Sequence, residues 1–371
     1  MTVPTMHQLV HTLSYGDAIS TEVLALQEAL QALGYNSEIY ALHEHPNYRG
    51  RTRSAESLSL SRDAHLILHY SLGSSLNDIY ANWTHGGRIL VYHNITPASW
   101  YKEINTRVSN DILRGVEELP TLCALSDQIW ADSEFNAREL DKYGAFDVAV
   151  LDLLVSDSRW KVARDEKIFA AVKGSQGLQV LHVGRLAPNK CLEDVIKVFY
   201  FLVRYTDTDS RLRLVGIDTD TEMYAFALRD LADRLGIGSS VEFTGALSDS
   251  EVRALYEASD VYLCMSEHEG FCLPLIESMH FSLPVVAFSA AAVPETLGDA
   301  GVLVRDKRHA EIAKVVASIS RDVGLRQLLI DKGRRRVAKY SAKEFASRVE
   351  FLTEDFLNSI ALKGAGNARR I

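Results

Sequence analysis

Apolar positions along the chain fall into short dense runs separated by longer stretches of helical period. The first stretch reads MHQLVHTL, then the polar loop SYGDAIS, then an amphipathic run from Thr21 to Leu33 closed by Gly34, then SEIYAL. Dense apolar runs of four to eight residues suit strands buried on both faces, and the longer run has the apolar spacing of a helix lying on a sheet. Further strand-like runs follow at HLILHY, RILVYHN and QIWADS, each separated by helical or turn-rich sequence. A second series begins at LQVLHVGR and continues through RLRLVGI, VEFTG, VYLCMS and PVVAFS. Alternation of this kind predicts an α/β protein with two doubly wound, Rossmann-like domains. The first is expected over residues 1–160 and the second over 178–345, with the stretch from Asp157 to Gly177, charged at first and ending KGSQG, as linker.

Length agrees with two domains, because 371 residues exceed the roughly 100–200 of one ordinary domain. A net charge of −9 argues against a general nucleic-acid binder, which needs a basic footprint to displace counterions. Cys123, Cys191, Cys264 and Cys272 show no CxxC spacing, so neither a zinc site nor a disulfide framework is expected, and a reducing cytosol fits best. No apolar stretch reaches about 18 residues and no basic segment leads into one, which predicts neither a membrane span nor secretion.

The strongest chemical signal is EHEGFCLPLIESM, placed after a strand and opening a helix. Glu267 and Glu269 could merely complement the helix N-terminus. Alternatively, Gly270 lets the backbone approach a ligand, and free amides at the helix start donate to sugar hydroxyls or phosphate oxygens. Glu277, about two turns into the helix, would then accept from a ribose, because a buried, unpaired carboxylate is costly. The second signal is HVGRLAPNKCLEDVI, where Gly184, Arg185 and Lys190 stand on a strand-to-helix loop. Two fixed cations beside a departing diphosphate stabilise developing charge, and can replace a divalent metal. The plain alternative is a pair of solvated charges facing Glu193 or Asp194.

Taken together, the two motifs resemble glycosyltransferase family 4, a retaining class with the two-domain GT-B fold, over most of residues 178–345. The resemblance implies that Arg185 and Lys190 bind the donor diphosphate. Glu269, Gly270, Phe271, Cys272 and Leu273 would form the sugar shelf, and Glu277 would hold the ribose. The loop Gly245, Ala246, Leu247 after FTG is implied as the nucleobase contact. Cys272 stands where the family usually has glycine, and the loop after RLRLVG reads IDTDTE instead of a glycine-rich turn. The DTD triplets at Asp207 and Asp218 raise a rival metal-binding reading, but two copies in hydrophilic connections read better as turn residues. No cofactor or metal is expected beyond the nucleotide sugar itself.

The first half is less explicit. Gly16 would let the first loop approach a phosphate, or serve an ordinary tight turn; Asp17 reads as a helix cap or an acceptor-hydroxyl partner. His93 and Asn94 end a strand before Pro97, and by resemblance His93 contacts a hydroxyl of the transferred sugar; a histidine there can equally be a satisfied polar residue. Trp100 and Tyr101 could stack on an acceptor sugar or pack as core, and His69, Tyr70 and Ser71 end the preceding strand near the same expected cleft. Ser133 and Asn136 suit a helix cap, and Arg334–Arg336 form a basic helix end that serves either solvation or a lipid-phosphate surface.

The resemblance also implies a final helix over about 342–362 crossing back, so that about 355–371 joins the first domain. It implies front-face transfer with retention, the leaving phosphate taking the acceptor proton. The HNITP element resembles transferases of bacterial O-antigen and exopolysaccharide synthesis, favouring GDP-mannose slightly over a UDP-sugar. The acceptor would be a saccharide or polyprenyl-linked saccharide, with peripheral attachment to the cytoplasmic membrane in the latter case. Two other classes stay open: a non-hydrolysing nucleotide-sugar 2-epimerase, which would need acids and bases in the first domain, and a non-catalytic nucleotide-sugar-binding protein.

Overall fold

The computed structural model describes residues 4–60, 64–155 and 157–368, and resolves into two compact units. The first comprises Met1–Ile95, Asn110–Leu154 and Ala342–Ile371. Its strands are β1 (Met6–Leu13), β2 (Ile39–Glu44), β3 (Thr52–Ser54), β4 (His65–Tyr70), β5 (Arg88–Tyr92), β6 (Gln128–Ala131) and β7 (Ala149–Val150). They form a parallel sheet in the order β3-β2-β1-β4-β5-β6-β7. The helix Ala18–Ala32 follows β1 because Asp17 accepts the Ser20 backbone N–H and starts it.

The C-terminal helix, Ala342–Ala368, belongs to this unit along its whole length. Phe345, Val349, Leu352 and Phe356 share one apolar cluster with Met6, Leu26, Ile67, Ile89 and Trp130. Gly87 makes that approach possible, since a Cβ there would lie 2.0 Å from Ile360 Cδ1.

The second unit comprises Thr96–Ser109 and Val155–Ser341. Its strands are β8 (Gln179–Val183), β9 (Arg211–Val215), β10 (Val241–Gly245), β11 (Val261–Cys264), β12 (Val285–Phe288) and β13 (Val302–Val304), all parallel, in the order β10-β9-β8-β11-β12-β13. In both sheets the order reverses once, between β1 and β4 and between β8 and β11. Loops leaving the carboxyl ends of strands at such a reversal diverge to opposite faces and leave a crevice for ligands.

Two expectations change. The stretch expected as a linker folds as the helices Asp157–Trp160 and Glu166–Lys173, the latter capped by Asp165. It is tied to the second unit by Arg164, which bonds Glu257 at 2.8 Å. Residues 96–109, expected in the first domain, fold with the second.

Candidate active site

The loop after β8 carries Gly184, Arg185 and Lys190, and the loop after the neighbouring β11 carries Glu267 and Glu269. The two loops are fastened together: the Asn189 side-chain amide donates to His268 O at 2.8 Å, and the Glu267 backbone N–H donates to Asn189 O at 3.0 Å. Gly184 has φ +147°, a backbone conformation that favours glycine, and an added Cβ would only touch Lys190 Cε at 3.4 Å.

Lys190 Nζ lies 2.7 Å from Glu269 Oε1, which also accepts from Ser266 Oγ at 2.9 Å. Burial favours the neutral form of each, yet the opposed charge outweighs it: Lys190 is raised above the ordinary lysine range and Glu269 lowered below the ordinary carboxylate range. Both therefore stay charged at neutral pH. Arg185 is more exposed; its Nε and Nη2 donate to Thr219 O at 3.2 and 2.6 Å, with Asp220 Oδ2 at 3.8 Å.

The capping alternative for Glu267 and Glu269 fails, because the helix starts only at Leu273 and Glu267 instead pairs with Lys307 at 2.7 Å. Neither is Lys190 a loop charge facing Glu193 or Asp194: Glu193 accepts from Tyr224, and Asp194 from Lys307 and His309. The expected ribose acceptor needs a correction too. Glu277 is buried but not unpaired, since Arg159 Nη1 donates to it at 2.8 Å and Tyr256 OH at 2.9 Å. Protein partners therefore account for its burial without a ligand. Arg159, which also pairs with Asp249 at 2.7 Å, comes from the stretch expected to be linker.

Cys272 has φ +70° at the head of the helix Leu273–His280, which explains why glycine suits that position; its Sγ lies 3.9 Å from Cys264 Sγ, and both cysteines are free. The Phe271 side chain is buried edge-on to Tyr340, so only its backbone can serve a shelf, and Leu273 is likewise buried. Gly245 (φ +69°) and Ala246 turn the chain after β10, with Leu247 half-buried beyond them. In the triplet at Asp218, Asp218 lies 3.6 Å from Arg229 and Asp220 lies 2.6 Å from Arg107.

In the first unit, His93 is not an open ring at a strand end. It lies at the centre of a buried cluster with Glu22, Asp132, His69 and Gln8. Its Nδ1 is 2.9 Å from Asp132 Oδ1 and 3.3 Å from Glu22 Oε2, and its Nε2 is 2.8 Å from His69 Nδ1. His69 Nε2 reaches Gln8 Oε1 at 2.8 Å. Burial works against a charged His93, but Asp132 and Glu22 raise it to about 9; burial and His93 together hold His69 well below its ordinary value. A charged His93 donates from both nitrogens, which leaves His69 to accept at Nδ1 and donate at Nε2. Burial, then Asp132, push the Glu22 carboxyl well above its usual range, and neither of its oxygens has a hydrogen-bond partner among the described residues. Glu22 breaks the apolar face of its helix between Ile19 and Leu26, a signal open to sequence reading but not taken there.

The remaining first-half candidates are engaged internally. Tyr70 OH donates to Gly115 O at 2.6 Å, and Asn94, at φ +73°, donates from Nδ2 to Asn136 and Glu139. Asp17 is the helix cap, and Gly16 turns the loop at φ +76°. Trp100 and Tyr101 lie in the second unit, Trp100 packed on its apolar cluster and Tyr101 within the electrostatic reach of Arg185, Lys190 and Glu269.

Residues 163–336 match the family described as glycosyl transferases group 1. The chain is 33% identical over 135 residues to an MMP alpha-(1->4)-mannosyltransferase of Mycolicibacterium hassiacum, covering 35% of this chain and 33% of that protein. It is 24% identical over 161 residues to O-antigen chain mannosyltransferase B of Escherichia coli, covering 43% and 42%. The chain thus spans less than half the length of these curated relatives. Among solved structures it resembles sucrose-phosphate synthase from Thermosynechococcus elongatus (TM-score 0.75, 17% identity, 96% and 100% covered). It also resembles Anabaena HepE in complex with UDP-glucose (TM-score 0.76, 14% identity, 95% and 99% covered). The fold is GT-B, with two Rossmann-like units.

Proposed function

We propose that the chain is a retaining hexosyltransferase that takes its sugar from a nucleotide diphosphate sugar at the β8/β11 crevice, and that Arg185 and Lys190 do the work a divalent metal does elsewhere. The observation that carries this reading is the placement of Lys190, Glu269 and Arg185 on the two loops that diverge at the strand-order reversal. A diphosphate entering there would meet two cations already fixed in position, which favours the charge that builds on the leaving group. Lys190 would then share itself between Glu269 and phosphate, and Glu269, still an anion, would face the sugar as a positioning and stabilising group. With no separate nucleophile invoked, the leaving phosphate accepts the acceptor's proton as the new bond forms on the same face. GDP-mannose is the favoured donor, supported by the two mannosyltransferase relatives, with a UDP-sugar next; the acceptor is a saccharide or lipid-linked saccharide of polysaccharide synthesis.

Thermal unfolding with GDP, UDP and ADP in the presence of EDTA tests this. A nucleotide at about 100 times its dissociation constant stabilises the fold by about 2.7 kcal/mol. A shift with GDP or UDP that survives EDTA and disappears in Arg185→Ala and Lys190→Ala is expected; a shift that requires added metal contradicts the reading. One observation favours the 2-epimerase alternative: the first unit does hold a cluster of acids and histidines. Deuterium appearing at C2 of a nucleotide sugar incubated in heavy water without acceptor would establish that activity instead.

A further inference from the structure

Residues 96–109 come from the first half of the sequence yet fold in the second unit, as a strap beside the cationic loop. Trp100 packs against the apolar cluster containing Leu186, Cys191 and Leu192. Asn105 Nδ2 donates to Asp220 O at 3.2 Å, and Arg107 Nη2 lies 2.6 Å from Asp220 Oδ1. Asp220 has φ +66°, and the carbonyl just before it, Thr219 O, is the one that Arg185 holds. The strap and Arg185 are therefore fixed to the same turn, Asp218 to Thr221.

Tyr101 lies on this strap, 5% exposed and within the electrostatic influence of Arg185, Lys190, Glu269 and Asp220. Burial, offset in part by the two cations, raises its phenol above the ordinary range, so it keeps its proton. The hydroxyl has no hydrogen-bond partner among the described residues, although it is not among the polar atoms sealed from solvent. A nearly buried phenol normally has a partner. A neutral O–H donor on a strap pinned to the turn that Arg185 holds matches an anion with several acceptor oxygens, and phosphate is such an anion.

We infer that Tyr101 is a donor-site residue and not an acceptor platform, its hydroxyl donating to an oxygen of the terminal phosphate of the nucleotide diphosphate held by Arg185 and Lys190. This rests on the donor-site reading above. Asn105 and Arg107 act at one remove, by pinning the strap to Asp220.

Calorimetric titration of the full chain with GDP, UDP, GMP and UMP tests it, comparing wild type with Tyr101→Phe. The variant is expected to bind the preferred nucleoside diphosphate roughly 10-fold more weakly, the loss of one hydrogen bond to a charged group. Its affinity for the matching monophosphate, which lacks that phosphate, should be unchanged. Equal diphosphate affinity in wild type and variant overturns the inference, and so does an equal loss for mono- and diphosphate, which marks Tyr101 as packing alone. If the wild type binds no nucleotide, the donor-site reading itself fails and this inference falls with it, an outcome distinct from a wild type that binds and a variant that binds as well. Tyr101→Phe retains the ring, and a melting temperature equal to wild type confirms that the comparison is between folded proteins.

Discussion

Each unit places charged side chains at the carboxyl ends of its strands, and the two sets are built differently. In the second unit the ionic groups come from two loops, and one of them, Arg185, is left partly exposed with only carbonyl and distant carboxylate contacts. In the first unit, Gln8 on β1, Glu22 on the first helix, His69 on β4, and His93 and Asp132 after β5 and β6 close on one another beneath the surface. The first arrangement can exchange protein partners for a ligand; the second has its ring nitrogens already taken. Spare hydrogen-bonding capacity does not separate the two, since Glu22 and Gln8 Nε2 in the first unit lack partners among the described residues; access does, because Arg185 reaches solvent and the first unit's cluster is sealed.

The sharpest way to break this contrast is Lys190→Ala. Transfer should fall by roughly 10²–10³-fold, as for loss of one preorganised group at a developing charge. Stability should also fall by about 3–5 kcal/mol, because Glu269 stays buried without its partner. The double variant Lys190→Ala/Glu269→Ala should recover much of that stability and none of the activity, as thermal unfolding and product formation will show.

Asp132→Asn probes the closed cluster. With His93 at about 9 in the folded state against an ordinary 6.5, its stabilising contribution is fully present below pH 6.5 and is lost as pH rises through about 9. Melting the wild type between pH 6 and 9.5 should reveal that loss. In Asp132→Asn the decline should move to lower pH, with overall stability reduced by about 3 kcal/mol and nucleotide affinity unchanged.

A smaller effect is expected from Glu277→Gln, which weakens the bond from Arg159 while leaving Arg159 its contact with Asp249; a loss of about 1.5–3 kcal/mol of stability follows. Titration with ribo- and dideoxyribonucleotides shows whether Glu277 also serves a ribose, since a structural role alone gives the variant the wild-type preference. Cys272→Gly should change stability least, by about 1 kcal/mol in the stabilising direction, because it relieves a left-handed backbone at the loss of a small buried thiol.

What was legible in the sequence follows the same division. Both sheets and the loops carrying Arg185, Lys190 and Glu269 were readable, because each motif is continuous and sits at a strand-to-helix junction whose geometry is local. The partners of Glu277 were not, since Arg159 lies 118 residues away in a stretch whose Gly and Ser content reads as linker. Nor was the exchange of residues 96–109, which is decided by what Trp100, Asn105 and Arg107 meet and not by any local period. The first unit's cluster draws one group from each of five separate elements; the strand-end histidines His69 and His93 and the charge of Glu22 on an apolar helix face were visible in sequence, but not their pairing.

The most direct test of the central claim is the affinity of GDP and UDP, with EDTA present, for wild type, Lys190→Ala and Glu22→Gln measured side by side by calorimetry. The account predicts metal-independent binding of one nucleotide to wild type and to Glu22→Gln alike, and at least a tenfold loss in Lys190→Ala. Binding unchanged in Lys190→Ala but lost in Glu22→Gln would contradict it, and would move the ligand from the open pair of cations to the closed cluster of the first unit.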